Sequence, residues 1–243
     1  MPGERGDYTG IRLAKRGRAC YNREKKRKER AMDKTARLVK TDEGLALSDG
    51  KNTVRGDFTR LLPRIRRGNL TRELLVRAVK IKGIDHPLVA DATAGLGEDS
   101  FLLAAAGCRV LLFEYDPVIA DLLSDALERA KRDPETKGIA ERMTLIRGDS
   151  IPALPRLDPA PDVVLLDPMF PERTKSALVK KKFQLLHQLE RPCENESALL
   201  DAALAAHPKR VVIKRPAKGP FLAGVKPSFS LTGSAVRFDC IVP

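Results

Sequence analysis

The chain of 243 residues contains no tryptophan, and aromatic residues make up only 5% of it. A module that grips nucleic acid by stacking bases on a platform of rings is therefore disfavoured as its main activity. Its four cysteines (Cys20, Cys108, Cys193 and Cys240) are far apart, include no C-x-x-C pair, and have only three histidines to help complete a ligand set. That scarcity argues for reduced thiols and against a structural zinc or other metal. Long apolar runs are also missing. The nearest approach, Phe101 to Phe113, is interrupted by Arg109 and falls short of a bilayer core of about 30 Å. The stretch from Arg12 to Arg30 carries charge throughout, leaving no apolar segment of the kind a secretory signal needs. The expectation is a cytoplasmic protein without a membrane anchor.

Positive charge, by contrast, is abundant: 45 Lys and Arg face 32 Asp and Glu, a net +13 with a pI near 9.8. A polyanionic partner is the first inference from such a balance. The charge is unevenly placed. Residues 1–40 hold fourteen basic and five acidic residues, a net +9, and the other 203 residues carry +4. Residues 1–42 lack a sustained apolar face and include Arg23-Glu24-Lys25-Lys26-Arg27-Lys28-Glu29-Arg30, so they are expected to form a basic, mobile arm. Residues 43–70 read as a small N-terminal cap in which Leu45–Leu47 and Phe58–Ile65 suit short strands. A helix is expected from Thr71 to about Lys82, behind Asn69 or Thr71 as a cap.

From there to residue 243 strand-like runs alternate with helical stretches, the pattern of an α/β domain with a mostly parallel, doubly wound sheet. Expected strands are Leu88–Asp91, Arg109–Glu114, Met143–Ile146, Val163–Leu166 and Arg210–Ile213. Expected helices are Asp99–Ala106, Val118–Arg132, Lys175–Leu189 and Leu199–Ala206. Val236–Val242 suits a terminal antiparallel hairpin strand.

Asp91-Ala92-Thr93-Ala94-Gly95-Leu96-Gly97-Glu98-Asp99 follows a strand and opens a helix, the setting in which Gly95 and Gly97 let backbone approach a ligand closely. An ordinary tight turn is the plain alternative. A dinucleotide is disfavoured, because its pyrophosphate would meet Glu98 and Asp99 at the helix N-terminus. S-adenosyl-L-methionine suits these acids better, since it has no phosphate and presents a sulfonium and an amino group to carboxylates such as Asp91 and Asp99. Glu114 ends the next strand 19 residues after Gly95, where an acid can accept both ribose hydroxyls. Tyr115 beside it can line an adenine slot. Asp149 and Ser150 stand at the corresponding edge of the third strand, either to bond the adenine amine or to make a turn or N-cap.

Asp167-Pro168-Met169-Phe170 directly follows the apolar Val163-Val164-Leu165-Leu166, at the sheet edge where open α/β folds bind ligands. Asp167 and the Pro168 carbonyl can accept from an exocyclic amine while Phe170 stacks on the planar base. A proline turn with Phe170 in the core is the bland reading.

The DATAGLGED loop, the LDPMFP segment running into Lys175-Ser176-Ala177-Leu178-Val179-Lys180-Lys181, and Arg210-Val211-Val212-Ile213-Lys214-Arg215-Pro216 together resemble the bacterial 16S rRNA guanine-N2 methyltransferase J family over roughly residues 43–243. The resemblance implies a Rossmann-like class I methyltransferase fold with S-adenosyl-L-methionine as methyl donor. It also implies transfer to a guanine N2 near the 3′ end of 16S rRNA, guanine 1516 in conventional numbering, in free RNA or the 30S subunit. Carried over motif by motif, Glu98, Asp99, Glu114, Tyr115, Asp149, Ser150 and Asp167 contact the cofactor or lie at its edge. Thr93 stands where the wider methyltransferase class often has a glycine, and Met169 replaces the second proline of the commoner amino-methyltransferase signature. Arg173, Lys175, Lys180, Lys181 and Lys182 after Asp167, with Lys214 and Arg215 after the fifth strand, are candidate phosphate contacts. A tRNA or DNA amino-methyltransferase would share the loop and the catalytic segment. A nonenzymatic RNA-binding protein with a vestigial methyltransferase fold is the remaining alternative.

Overall fold

A computed structural model describes residues 36–66, 68–168 and 195–243. Its centre is a sheet of seven strands in the order β6-β5-β4-β7-β8-β10-β9: β4 (Leu88–Asp91), β5 (Arg109–Glu114), β6 (Met143–Arg147), β7 (Val163–Leu166), β8 (Arg210–Pro216), β9 (Phe229–Thr232) and β10 (Val236–Ile241). Strands β4 to β8 pair in parallel, whereas β10 runs antiparallel between β8 and β9. This is the Rossmann-like arrangement with a C-terminal antiparallel hairpin. The hairpin places an antiparallel edge on a sheet whose inner strands are buried on both faces.

The central residues of the inner parallel strands, such as Val163–Leu166, are apolar because side chains pointing alternately up and down both meet a covered face. Val163 and Leu165 of β7 join one core with Phe101, Leu102 and Leu123, while Val164 and Leu166 join another with Leu199, Leu200 and Ala203. Helices Glu98–Ala105 and Pro117–Arg132 cover the first face and Glu196–Ala205 the second. Asp116 caps the long helix, its Oδ1 accepting from the Val118 amide at 2.8 Å ahead of the favourable early Pro117. The chain order reverses beside β4, between β5 on one side and β7 on the other. The carboxyl ends of β4 and β7 therefore open onto one crevice, the place where such sheets bind ligands.

A second sheet, β1 (Arg37–Thr41), β2 (Gly44–Ser48) and β3 (Thr53–Val54), is antiparallel. It packs Ala36, Leu47 and Val54 against Val118, Ile119 and Leu122 of the long helix. The last residues of the expected 1–42 arm thus belong to a strand: Leu38 gains a buried face only when paired with Leu47 across the turn, which a linear charge pattern does not show. The expected strand Phe58–Ile65 is instead a 3₁₀ turn, Phe58–Leu61, followed by one helical turn, Leu62–Ile65. Asp57 caps it by accepting from the Thr59 amide and hydroxyl, Pro63 sits in the first helical turn, and the three-residue spacing buries Phe58 with Leu61. The Phe58 ring stacks on Phe101 with 4.8 Å between centroids, fixing the cap to the helix after the glycine loop. The helix expected from Thr71 to Lys82 is shorter, a 3₁₀ turn Leu70–Arg72 and then Leu74–Val79, with neither Asn69 nor Thr71 capping it. The helix expected at Lys175–Leu189 lies outside the described residues. Among those described, no helix is long and apolar enough to cross a membrane.

Candidate active site at the strand ends

The loop between β4 and its helix is held by neighbouring strands. The Ala92 amide donates to Leu165 O of β7 at 2.9 Å and the Ala94 amide to Phe113 O of β5 at 3.0 Å. Gly95 and Gly97 adopt positive φ, 55° and 76°, which an L side chain rarely tolerates. At Gly97 a Cβ would also come within 2.8 Å of Leu123 Cδ1, which would have to move to make room.

Glu114 is 8% exposed at the end of β5. Its Oε2 accepts from the Gly95 amide at 2.9 Å and its Oε1 from the Asp116 amide at 2.7 Å. Through these two bonds Glu114 builds the glycine loop. Tyr115 beside it is 47% exposed. Asp149 caps the turn Ser150–Ala153 by accepting from the Ile151 amide at 2.9 Å. The N-cap expected as one reading of this pair is formed by Asp149, and Ser150 is buried.

Three carboxylates converge at the mouth of β4 and β7. Asp91, 2% exposed, accepts from the Ser100 hydroxyl at 2.6 Å and from the Thr93 amide at 3.2 Å. Burial pushes its pKa up to about 7 against these two bonds, and the charges of Asp99 and Asp167 push the same way. Asp99 and Asp167 share one cation: Lys214 Nζ lies 2.6 Å from Asp99 Oδ2 and 2.9 Å from Asp167 Oδ2. Burial opposes the ammonium charge, but the two carboxylates outweigh it and raise the Lys214 pKa. Asp167 is likewise raised by burial, with Lys214 pulling in the opposite direction.

Two of the expected phosphate contacts are placed differently. Arg215 is buried, its side chain 0% exposed, with Nη1 3.3 Å from Glu196 Oε1 and Nε donating to Pro220 O at 2.8 Å. Strand alternation sends Lys214 and Arg215 to opposite faces of β8, so the adjacent pair cannot act together on one RNA surface. Lys214 points into the acid cluster. Asp91, Gly95, Gly97, Asp99, Glu114 and Asp167 do come together, Glu98 is exposed in the first helical turn, and Pro168 is buried beside Asp167. Phe170, Arg173, Lys175, Lys180, Lys181 and Lys182 lie outside the described residues.

Sequence reasoning missed Thr93 as a structural contact. Its Oγ1 accepts from the Asp167 amide at 2.7 Å, directly coupling the glycine loop to the segment after β7. Its position in the loop, where the wider class often has glycine, was the available signal. The complete set, glycine backbone plus acids at a helix N-terminus, fits a cationic ligand without phosphate. Among the described residues no group of three or more His, Cys, Asp or Glu could hold a metal ion.

Comparison with known proteins matches residues 23–243 to a family described as SAM-dependent methyltransferase. A ribosomal RNA small subunit methyltransferase J from Nitrosococcus oceani is 51% identical over 178 residues, 72% of this chain and 70% of that protein. Its counterpart from Thioalkalivibrio sulfidiphilus is 46% identical over 84% of each chain. A crystal structure of a SAM-dependent methyltransferase from Neisseria gonorrhoeae superposes with a TM-score of 0.70 at 38% identity, covering 86% of this chain and 83% of that one.

Proposed function

Because the chain belongs to the ribosomal RNA small subunit methyltransferase J family of S-adenosyl-L-methionine-dependent methyltransferases, we propose that it methylates the exocyclic N2 amine of a guanine in 16S rRNA, guanine 1516 in conventional numbering. Bound S-adenosyl-L-methionine supplies an electrophilic methyl group on a sulfonium. The glycine loop with Asp91, Asp99 and Glu114 forms its cradle, Tyr115 and the Asp149 edge border the adenine side, and Asp167 stands where cofactor and substrate meet.

The observation that carries this reading is the tie between Thr93 Oγ1 and the Asp167 amide at 2.7 Å. It supports the reading by tying the segment that carries Asp167 to the glycine loop, since orientation is the main demand of transfer to a weak nucleophile. Asp167 accepts a hydrogen bond from one amine N–H, without taking its proton, and stabilises the positive charge that develops on nitrogen. That nitrogen then releases a proton to solvent. Pro168 restricts the backbone and Phe170 supplies the stacking face. A guanine within folded RNA must first be unstacked, at a cost of a few kcal/mol that phosphate contacts offset.

The test is methyl incorporation by the purified protein into 30S particles, naked 16S rRNA, tRNA and DNA, with the product located by mass spectrometry. The expected product is N2-methylguanine at 1516 of 16S rRNA. Methylation of tRNA or DNA in preference, or of another atom, overturns the assignment.

A further inference from the structure

Lys214 leaves β8 on the side of helix Glu98–Ala105, and its ammonium spans two acids from distant parts of the chain, Asp99 after the glycine loop and Asp167 after β7. The three side chains are 26%, 22% and 37% exposed, so the charges are only partly screened. An ammonium is a compact point charge with three donors and can serve both carboxylates at once. Without a cation between them the two acids would repel, and one would take up a proton.

We propose that Lys214 is a positioning residue for methyl transfer, joining Asp99 to Asp167 so that Asp167 stays ionised, with Oδ2 held and Oδ1 left for the substrate amine. The inference rests on the reading above in taking an amine as nucleophile, and it reassigns a residue that its basic neighbourhood had suggested for RNA phosphates. A phosphate could engage Lys214 only by competing with two carboxylates already within 3 Å.

The groups facing Asp167 define the consequence. Burial and Asp99 push it toward protonation, while Lys214 and Arg215 oppose them. Asp91, at the end of β4, is coupled to Asp167 with the same sign as Asp99, and Arg64, paired with Glu73, feels the charge of Asp99. Among the described residues Lys214 is the largest counterweight. With its charge removed, Asp167 shifts toward the neutral acid, which offers the amine a weaker acceptor.

The test follows the Asp167 carboxyl carbon by carbon-13 NMR through a pH series in cofactor-free protein, the resonance being assigned by its loss in Asp167→Asn. In Lys214→Met the titration midpoint should rise by at least about one pH unit, a tenfold gain in proton affinity, and Lys214→Arg should restore it. Single-turnover methyl transfer to 16S rRNA by Lys214→Met should fall at least about tenfold at pH 7 and recover as the pH rises. If Lys214→Met does not fold, Lys214→Gln takes the same measurements. An unmoved Asp167 midpoint in a folded variant, or a rate loss equal at every pH, overturns the proposal. If the wild-type protein transfers no methyl to 16S rRNA yet the NMR midpoint still moves with Lys214, the RNA assignment fails and the Lys214–Asp167 link stands.

Discussion

The Thr93 hydroxyl accepts a hydrogen bond from the backbone amide of Asp167 across 2.7 Å, although the two residues are 74 positions apart in the chain. Adjacent parallel strands β4 and β7 bring them together, and the bond ties the segment after β7 to the loop after β4. Thr93→Val keeps the shape and removes the acceptor. The expected outcome is a stability loss of about 1 kcal/mol by urea unfolding and a fall in single-turnover methyl transfer of roughly tenfold or more, because misorientation is costly near the reacting atoms. Thr93→Ser should behave like the wild type. Equal rates in the Thr93→Val and wild-type proteins would remove Thr93 from the mechanism.

Asp91 carries a pH signature of its own. Its folded-state pKa of about 7 lies above the ordinary 3.8, so the folded chain holds this proton more tightly than the unfolded chain does. Stability is therefore greatest, as far as this group is concerned, below about pH 4, and is lost as the pH rises through 7. A shift of this size corresponds to about 4 kcal/mol at most. Asp91→Asn carries no such titration, so the melting temperature of the variant relative to wild type should climb between pH 5 and pH 8. A difference that stays flat over that range would show that Asp91 titrates normally.

Arg215 separates structure from RNA binding. Its guanidinium is enclosed beside Glu196, whose other oxygen accepts from the Ala223 amide at 3.0 Å, so it locks the helix Glu196–Ala205 to the turn before the C-terminal hairpin. Arg215→Met should lower unfolding free energy by about 2–3 kcal/mol while leaving the slope of RNA affinity against salt unchanged. If the slope falls by about one phosphate contact without loss of stability, Arg215 reaches the RNA after all.

How far these features could be read in advance depends on what sets them. The buried parallel strands were legible because a run such as Val163–Leu166 is apolar on both faces only when helices cover both sides. The glycine loop and the acids around it were legible because strand, glycines and helix are contiguous. Phe58–Ile65 was ambiguous, since its apolar residues suit a short strand or a helical turn until Asp57 is seen to cap it. The opposite directions of Lys214 and Arg215 follow from strand alternation, but which of them meets Asp99 depends on neighbours more than 100 residues away in the chain. Thr93 and Asp167 are in the same position: each was visible in its own motif, and their bond is a property of strand order.

The C-terminal end of the expected 1–42 arm is folded chain. Residues 1–35 carry twelve basic and five acidic residues, a net +7, whereas Ala36 is buried against the long helix and Arg37–Thr41 is β1. Deleting residues 1–35 should weaken RNA affinity and flatten its dependence on salt, through lost phosphate contacts, with S-adenosyl-L-methionine affinity unchanged. Deleting residues 1–42 should show the same RNA effect and in addition lower stability, because Ala36 and Leu38 leave the apolar cluster beneath the small sheet at roughly 25 cal/mol per Å² of buried apolar surface lost. Calorimetry of cofactor binding, urea unfolding and RNA affinity over a salt series, run on both truncations, distinguish the two effects. Equal RNA affinity and salt slope in the shorter truncation and the full chain would show that the charge of residues 1–35 serves something other than RNA.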